Sequence, residues 1–354
     1  MTTNKNTTDD EAKKLIQAAV DIIGEEDSED YRIVPTRFVD LFKESVPQFS
    51  EVLANATLTE TARRYEQKDA QAGSDQKVFK KLSSRATWAI FIATVTAAVL
   101  TGYASNPTGE PIAKYDLVAL ILGGMALVAG AYAAMLVYQI NGGGFLSRWM
   151  SARAAAETER LGYFNRLVRL VTTSYQKQPD ILLFSLELFR RYQLALQQTY
   201  YTQRGRQHRQ SMDKTLKLGS VAAGILALCS GGAGILGYFE PQLLPFAVVG
   251  ILGSALATVA SRREEMNQDE RNAERYGRTA DVLSHLREKH TDVQRAVAAG
   301  NTEVLVDYVN AVHEQLSLEH RQWLAQAEAI ESAVEKLSQS LKNQASQTGE
   351  TESH

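Results

Sequence analysis

Charge is missing from four long stretches of this 354-residue chain: Ala86–Ser105, Leu117–Gly144, Leu218–Phe239 and Pro241–Ser261 hold no Asp, Glu, Lys or Arg. Each is close to the roughly 20 apolar residues that a helix needs to cross a bilayer core, and such runs are rare in soluble folds. With no ionisable group at membrane depth, a transporter or proton pump is disfavoured. Cysteine is almost absent: Cys229 stands alone inside an apolar run, which excludes a disulfide within one chain. The first 20 residues contain Asp9, Asp10 and Glu11 and no apolar core, so no cleavable signal peptide is expected.

Catalytic constellations are missing too. There is no Walker A loop and no GxSxG elbow. His285 and His290, and His313 and His320, fit no metal motif and are expected to be solvated helix histidines. "GAGILG" (232–237) matches GxGxxG, yet it lies in an apolar run with no preceding strand and is read as a packing feature. We expect no enzyme, no cofactor and no metal.

Charge is instead gathered at the edges of the apolar runs. Lys77, Lys80, Lys81 and Arg85 precede the first, and Arg148 and Arg153 follow the second. Arg204, Arg206, Arg209, Lys214 and Lys217 precede the third, and Arg262 and Arg263 follow the fourth. The connection at 106–116 holds only Lys114 as a basic group, and the turn at Glu240 and Pro241 holds none. Basic residues favour the cytoplasmic side, so four spans with both termini in the cytoplasm are expected.

A repeat organises the chain. After the second run, residues 145–177 read as a helix, "QKQPD" breaks it, and "ILLFSLELFRRYQLALQQTYYTQ" resumes it. After the fourth, residues 262–298 read as a helix, "AAGNT" breaks it, and "EVLVDYVNAVHEQLSLEHRQWLAQ" resumes it. A shift of 122 residues pairs Leu183 with Leu305, Leu194 with Leu316, Leu196 with Leu318 and Tyr201 with Trp323. The expected fold is therefore an all-α membrane protein, four transmembrane helices in two tandem hairpins with long cytoplasmic helical stalks. Its expected parts are an N-terminal helical module (1–75), two hairpin-plus-helix-pair units (76–210 and 211–335) and a disordered tail (336–354).

Three sets of residues invite functional readings. Thr87, Thr94 and Thr101 recur every seven residues and share a helix face, as do Ser254, Thr258 and Ser261; such stripes either line a water path or let membrane helices pack closely. Gly142, Gly143 and Gly144 stand where the second span ends, as a helix terminus or as a hinge. "QQTYYTQRGRQHRQ" (197–210) interleaves Tyr200 and Tyr201 with Arg204, Arg206, His208 and Arg209. Aromatic faces stack bases and guanidinium groups pair with phosphates, so this is the sequence's best candidate for binding a nucleotide or short oligonucleotide. The cytoplasmic flank of a span also calls for these cations, and lipid headgroups can occupy them.

The junction "RWMSARAAAETERLGYF", with Trp149, Arg153 and Glu157 following directly on an apolar hairpin, resembles the SLATT family of bacterial two-transmembrane effectors; "RREEMNQDERNAERYGRTADVL" and "SLEHRQWLAQAE" are similar in the second unit. The resemblance covers roughly residues 77–330. It implies a pore-forming effector of an anti-phage system in the bacterial inner membrane, paired with a nucleotidyltransferase or another nucleotide-signalling partner, and a Hailong-type effector is the subgroup we expect. Two hairpins in one chain depart from the family's single one. Four spans enclose little space, so a conducting path needs several chains; we expect a homo-oligomer, with a tetramer as the working number, gated by a nucleotide or short oligonucleotide. The alternative is a non-conducting membrane anchor whose stalks recruit a cytoplasmic partner.

Overall fold

The computed structural model describes residues 3–25, 39–40, 42–104, 117–231, 235 and 247–322. Among these residues there is no strand. The helices are α1 (Thr3–Ile23), α2 (Pro47–Leu53), α3 (Ala56–Ala104), α4 (Leu117–Gly143), α5 (Phe145–Ser174), α6 (Pro179–Phe189), α7 (Leu196–Leu226), α8 (Ala247–Asn267), α9 (Asp269–Glu288) and α10 (His290–Ala298). Residues 302–322 form a further helix, α11. A π-helical turn, Arg190–Ala195, carries α6 into α7, and a second, Ala227–Gly231, extends α7.

Both expected breaks are present. Pro179 opens α6 at a position where its missing N–H costs nothing, and Gly300 adopts φ +84° between α10 and α11. The stretch 262–298 is not one helix, however. Gln268 sits at φ 47° between α8 and α9, a left-handed conformation uncommon for a residue with a side chain, and a turn at Lys289 separates α9 from α10.

The chain divides into two compact units, each drawn from separate parts of the sequence. The first comprises Met1–Gly73, Trp149–Gln207 and Asn272–Gln326; the second comprises Ser74–Arg148, His208–Arg271 and Ala327–His354. This corrects the sequence-based boundaries. Residues 1–75 are not a module of their own, and 76–210 and 211–335 each contribute to both units. The stretch 336–354 lies outside the described residues.

The first unit is built around α6, in which every residue from Ile181 to Phe189 is buried. A helix that is apolar on nearly all sides belongs in a core. Its leucines and phenylalanines pack with residues from α1 (Ala19, Ile23), α2 (Phe49, Leu53), α5 (Tyr163, Leu167), α10 (Val297) and α11 (Leu305, Val309, Val312, Leu316). Aromatic rings link these layers: Phe49 stacks on Phe184 at 5.7 Å, and Phe189 meets Phe164 at 5.7 Å and Tyr308 at 6.2 Å. Each fully buried side chain of this size contributes about 1.5–3 kcal/mol. Of the repeat-paired leucines, Leu183, Leu194, Leu196, Leu305 and Leu316 are buried and Leu318 is exposed; Trp323 lies outside the described residues.

The N-terminal helix is held to this core by its C-terminal end. Gly24 turns the chain at φ +71°, Arg190 Nη2 donates to the Gly24 carbonyl at 2.8 Å, and Arg191 donates to the Ile23 carbonyl. Cations placed on the free carbonyls of a helix end are favourable.

The second unit contains the apolar helices. Two helices are long and apolar enough to cross a membrane, one within Ala56–Thr101 and one within Leu117–Ser174; only 22% and 17% of their most apolar windows is buried. The third and fourth charge-free stretches fall partly outside the described residues, which end at Gly231 and resume, after Ile235, at Ala247. Within this unit the helices touch through glycines. A β-carbon at Gly123 would lie 3.8 Å from Leu100, and one at Gly253 would lie 2.6 Å from the Ala222 carbonyl oxygen and 2.7 Å from the Leu226 nitrogen.

Candidate functional site

The tyrosine and arginine segment is divided by its own helix. Along α7, Tyr200 to Gln207 belong to the first unit and His208 onward to the second. Tyr201 is buried, and its hydroxyl donates to Glu319 Oε2 at 2.7 Å. Its ring lies 5.3 Å from that of Tyr200 and 5.5 Å from that of Tyr276. Burial and the adjacent carboxylate push the Tyr201 hydroxyl well above its usual range. This corrects its assignment as a stacking platform, because a side chain committed to the core has no free face for a base.

Arg204 lies over the Tyr200 ring at 5.6 Å and donates to Gln207 at 2.9 Å. His208 bonds the buried Asp269 at 2.7 Å. Arg206 and Arg209 remain exposed.

Glu319 carries the energetic weight of the Tyr201 contact. Arg275 approaches its other oxygen at 3.4 Å, with both side chains almost fully buried. Burial raises the Glu319 carboxyl by more than the Arg275 charge and the Tyr201 hydroxyl lower it. Replacing Tyr201 by phenylalanine deprives a buried acceptor of its donor, and we expect a loss of about 1–3 kcal/mol, read as a lower denaturant midpoint with an unchanged slope.

The threonines of the hydroxyl stripes are satisfied within their own helices. Thr87, Thr94 and Thr101 each donate to the carbonyl four residues earlier, at 3.0, 2.9 and 3.0 Å, and Thr258 donates to the Ser254 carbonyl at 3.0 Å. Thr94, Thr101, Ser254, Thr258 and Ser261 are exposed and Thr87 is half-buried. Gly142–Gly144 mark a helix end: α4 stops at Gly143, Gly144 adopts φ +57°, and a β-carbon at Gly143 would collide with the Phe145 ring. Of "GAGILG", only Ile235 is among the described residues.

Sequence reasoning missed a buried polar cluster on α6. Glu187, 1% exposed, accepts from Arg190 Nε at 2.6 Å, His290 Nε2 at 2.7 Å and Gln294 Nε2 at 2.6 Å. Burial raises its carboxyl, but the bonds and charges of His290 and Arg190 outweigh this and leave it below the usual range. His290 is thus no solvated helix histidine; His285 is exposed, and His313 Nδ1 accepts from Asn165 Nδ2 at 2.9 Å. The available signal was the one acid, Glu187, inside "ILLFSLELF" (181–189), a run too apolar for an exposed face. Beside it, the buried Arg160 donates to Gln193 at 3.0 Å and to the Tyr192 carbonyl at 3.3 Å, within the π turn whose wider winding frees backbone groups.

The junction residues are structural. Arg153 bridges Asp69 of α3 at 2.8 Å and Glu157 at 2.5 Å, tying α5 to α3. The 122-residue shift places Arg153 on Arg275, and both grip carboxylates. No group of three or more metal-ligating side chains occurs among the described residues. Comparison with protein-family models, with curated proteins and with solved structures finds no match.

Proposed function

We propose that the chain is an oligomeric channel in a bacterial inner membrane, opened or closed by a nucleotide or short oligonucleotide that binds one state better. In this reading it serves anti-phage defence beside a nucleotidyltransferase, as the resemblance to the SLATT family implies. The observation that carries the reading is the sorting of the chain: one unit closes around a buried core, while the other collects the charge-free segments and leaves the apolar windows of the first two largely uncovered. Leu120, Leu127 and Leu228 are 73%, 75% and 78% exposed, a surface that water disfavours and lipid accepts. The contacts at Gly123 and Gly253 support two hairpins, hence four spans, and the basic flanks support cytoplasmic termini.

The exposed hydroxyl stripe would line the path between chains, since hydroxyls satisfied within a helix can still accept from water. Ion flux through liposomes holding the purified protein tests this. Thr94→Leu combined with Thr258→Leu is expected to reduce conductance severalfold without lowering the yield of oligomer. Unchanged flux would remove the stripe from the pore.

The same internal hydrogen bonds favour the second reading, a non-conducting anchor, because such hydroxyls are equally at ease against lipid. That reading expects no flux under any condition and survival of partner binding when the hairpins are replaced.

A further inference from the structure

A cavity of about 320 Å³ lies in the first unit between α5 and α11. Residues Gly162, Asn165, Arg166, Arg169 and Thr172 enter from α5, at spacings that keep them on one helix face. Val306, Val309 and Asn310 enter from α11, and Val168 completes the floor. The lining holds two arginines and no carboxylate. Arg166 is anchored, donating to Thr61 at 2.5 Å with Glu159 at 3.5 Å, whereas Arg169 is exposed and its guanidinium bonds no described residue.

We infer that this groove binds a small organic phosphate of mononucleotide size, its phosphate held by Arg166 and Arg169. Arg166 and Arg169 stand three residues apart on α5, and only Arg166 has an acid beside it, Glu159; the charge of Arg169 and the remaining N–H groups of Arg166 are left for an anion with several acceptor oxygens, and the planar fork suits phosphate. The valines offer an apolar floor, and Asn165, Thr172 and Asn310 offer donors and acceptors to the edge of a planar ring. Small-ligand sites have this mixed character and begin at about this volume. Naming the ligand a nucleotide rests on the gated-channel reading; the preference for phosphate rests on the arginine pair.

Isothermal titration calorimetry on the full chain in detergent, with adenosine 5′-monophosphate, glycerol 3-phosphate and inorganic phosphate, tests the inference. The nucleotide is expected to bind saturably at one site per chain and more tightly than the other two, which stand for a lipid headgroup and for free phosphate. Arg169→Ala is expected to weaken it about tenfold or more, the worth of a charged hydrogen bond, and Val309→Trp, which fills the groove, to abolish it. Since the Arg169 guanidinium bonds no described residue and its backbone bonds survive the change, the variant should melt with the parent.

No saturable binding of any probe, or binding indifferent to Arg169→Ala, would overturn the site. Equal affinity for all three would overturn its nucleotide character. Flux gated by an oligonucleotide in the Val309→Trp protein would sink the groove and leave the channel, while groove binding in a protein that never conducts would do the reverse.

Discussion

Glu187→Ala is expected to cost the first unit about 3–5 kcal/mol, because it strips the carboxylate from a buried Arg190 and leaves that charge facing the core. Arg190 retains the Gly24 carbonyl and, at 3.4 Å, the exposed Glu25, neither of which replaces a carboxylate at 2.6 Å. His290 and Gln294 lose their acceptor in the same step. Denaturant unfolding followed by the near-ultraviolet signal of the packed aromatic rings measures the loss; a change under 1 kcal/mol would mean that water or Glu25 takes over.

The effect has a pH signature. The bonds and charges of His290 and Arg190 hold the Glu187 carboxyl below its ordinary value in the folded chain. Its contribution is therefore complete above the ordinary carboxylate range and is lost as pH falls through the folded value. The gap between parent and Glu187→Gln should be widest near neutrality and narrow in acid.

Gly253→Ala carries the second large effect. The added β-carbon would meet the Ala222 carbonyl oxygen at 2.6 Å, the Leu226 nitrogen at 2.7 Å and the Leu226 α-carbon at 3.1 Å. All three are backbone atoms, so no rotamer change relieves the contact and α7 and α8 must separate. Overpacking of this kind costs about 1–3 kcal/mol, and valine or leucine should cost more. Gly224→Ala serves as the control: its β-carbon meets nothing within 4 Å, and the gain in helix propensity makes it neutral or stabilising. Unfolding of the detergent-solubilised protein compares the two, and equal midpoints would refute the close packing at Gly253.

The apolar helices and the breaks at Pro179 and Gly300 were legible in sequence because each depends on local chemistry: absent charge, a missing N–H, a left-handed φ. What escaped depends on tertiary neighbours. Nothing local tells that Tyr201 meets Glu319 across 118 residues, or that α1 ends beneath Arg190 and Arg191. The mixed segment 197–210 looked like one exposed patch because tyrosine between arginines reads the same whether its ring faces water or core. The Gln268 break escaped for another reason: glutamine seldom adopts φ 47°, so composition gives no warning of it. The groove between α5 and α11 required knowing which face of α5 each helix leaves uncovered.

The interleaved first unit also constrains biosynthesis. Its core needs Ile23 and Phe49 from the beginning of the chain, Leu183 from the middle and Leu305 to Leu316 from near the far end. A ribosome adding about 5–20 residues per second would hold α6 unfinished for several seconds or more after its synthesis, with its leucines uncovered while the later apolar helices are still being made. The nascent chain thus passes through an interval in which early cover for these apolar surfaces, such as a holding chaperone, decides between assembly and aggregation.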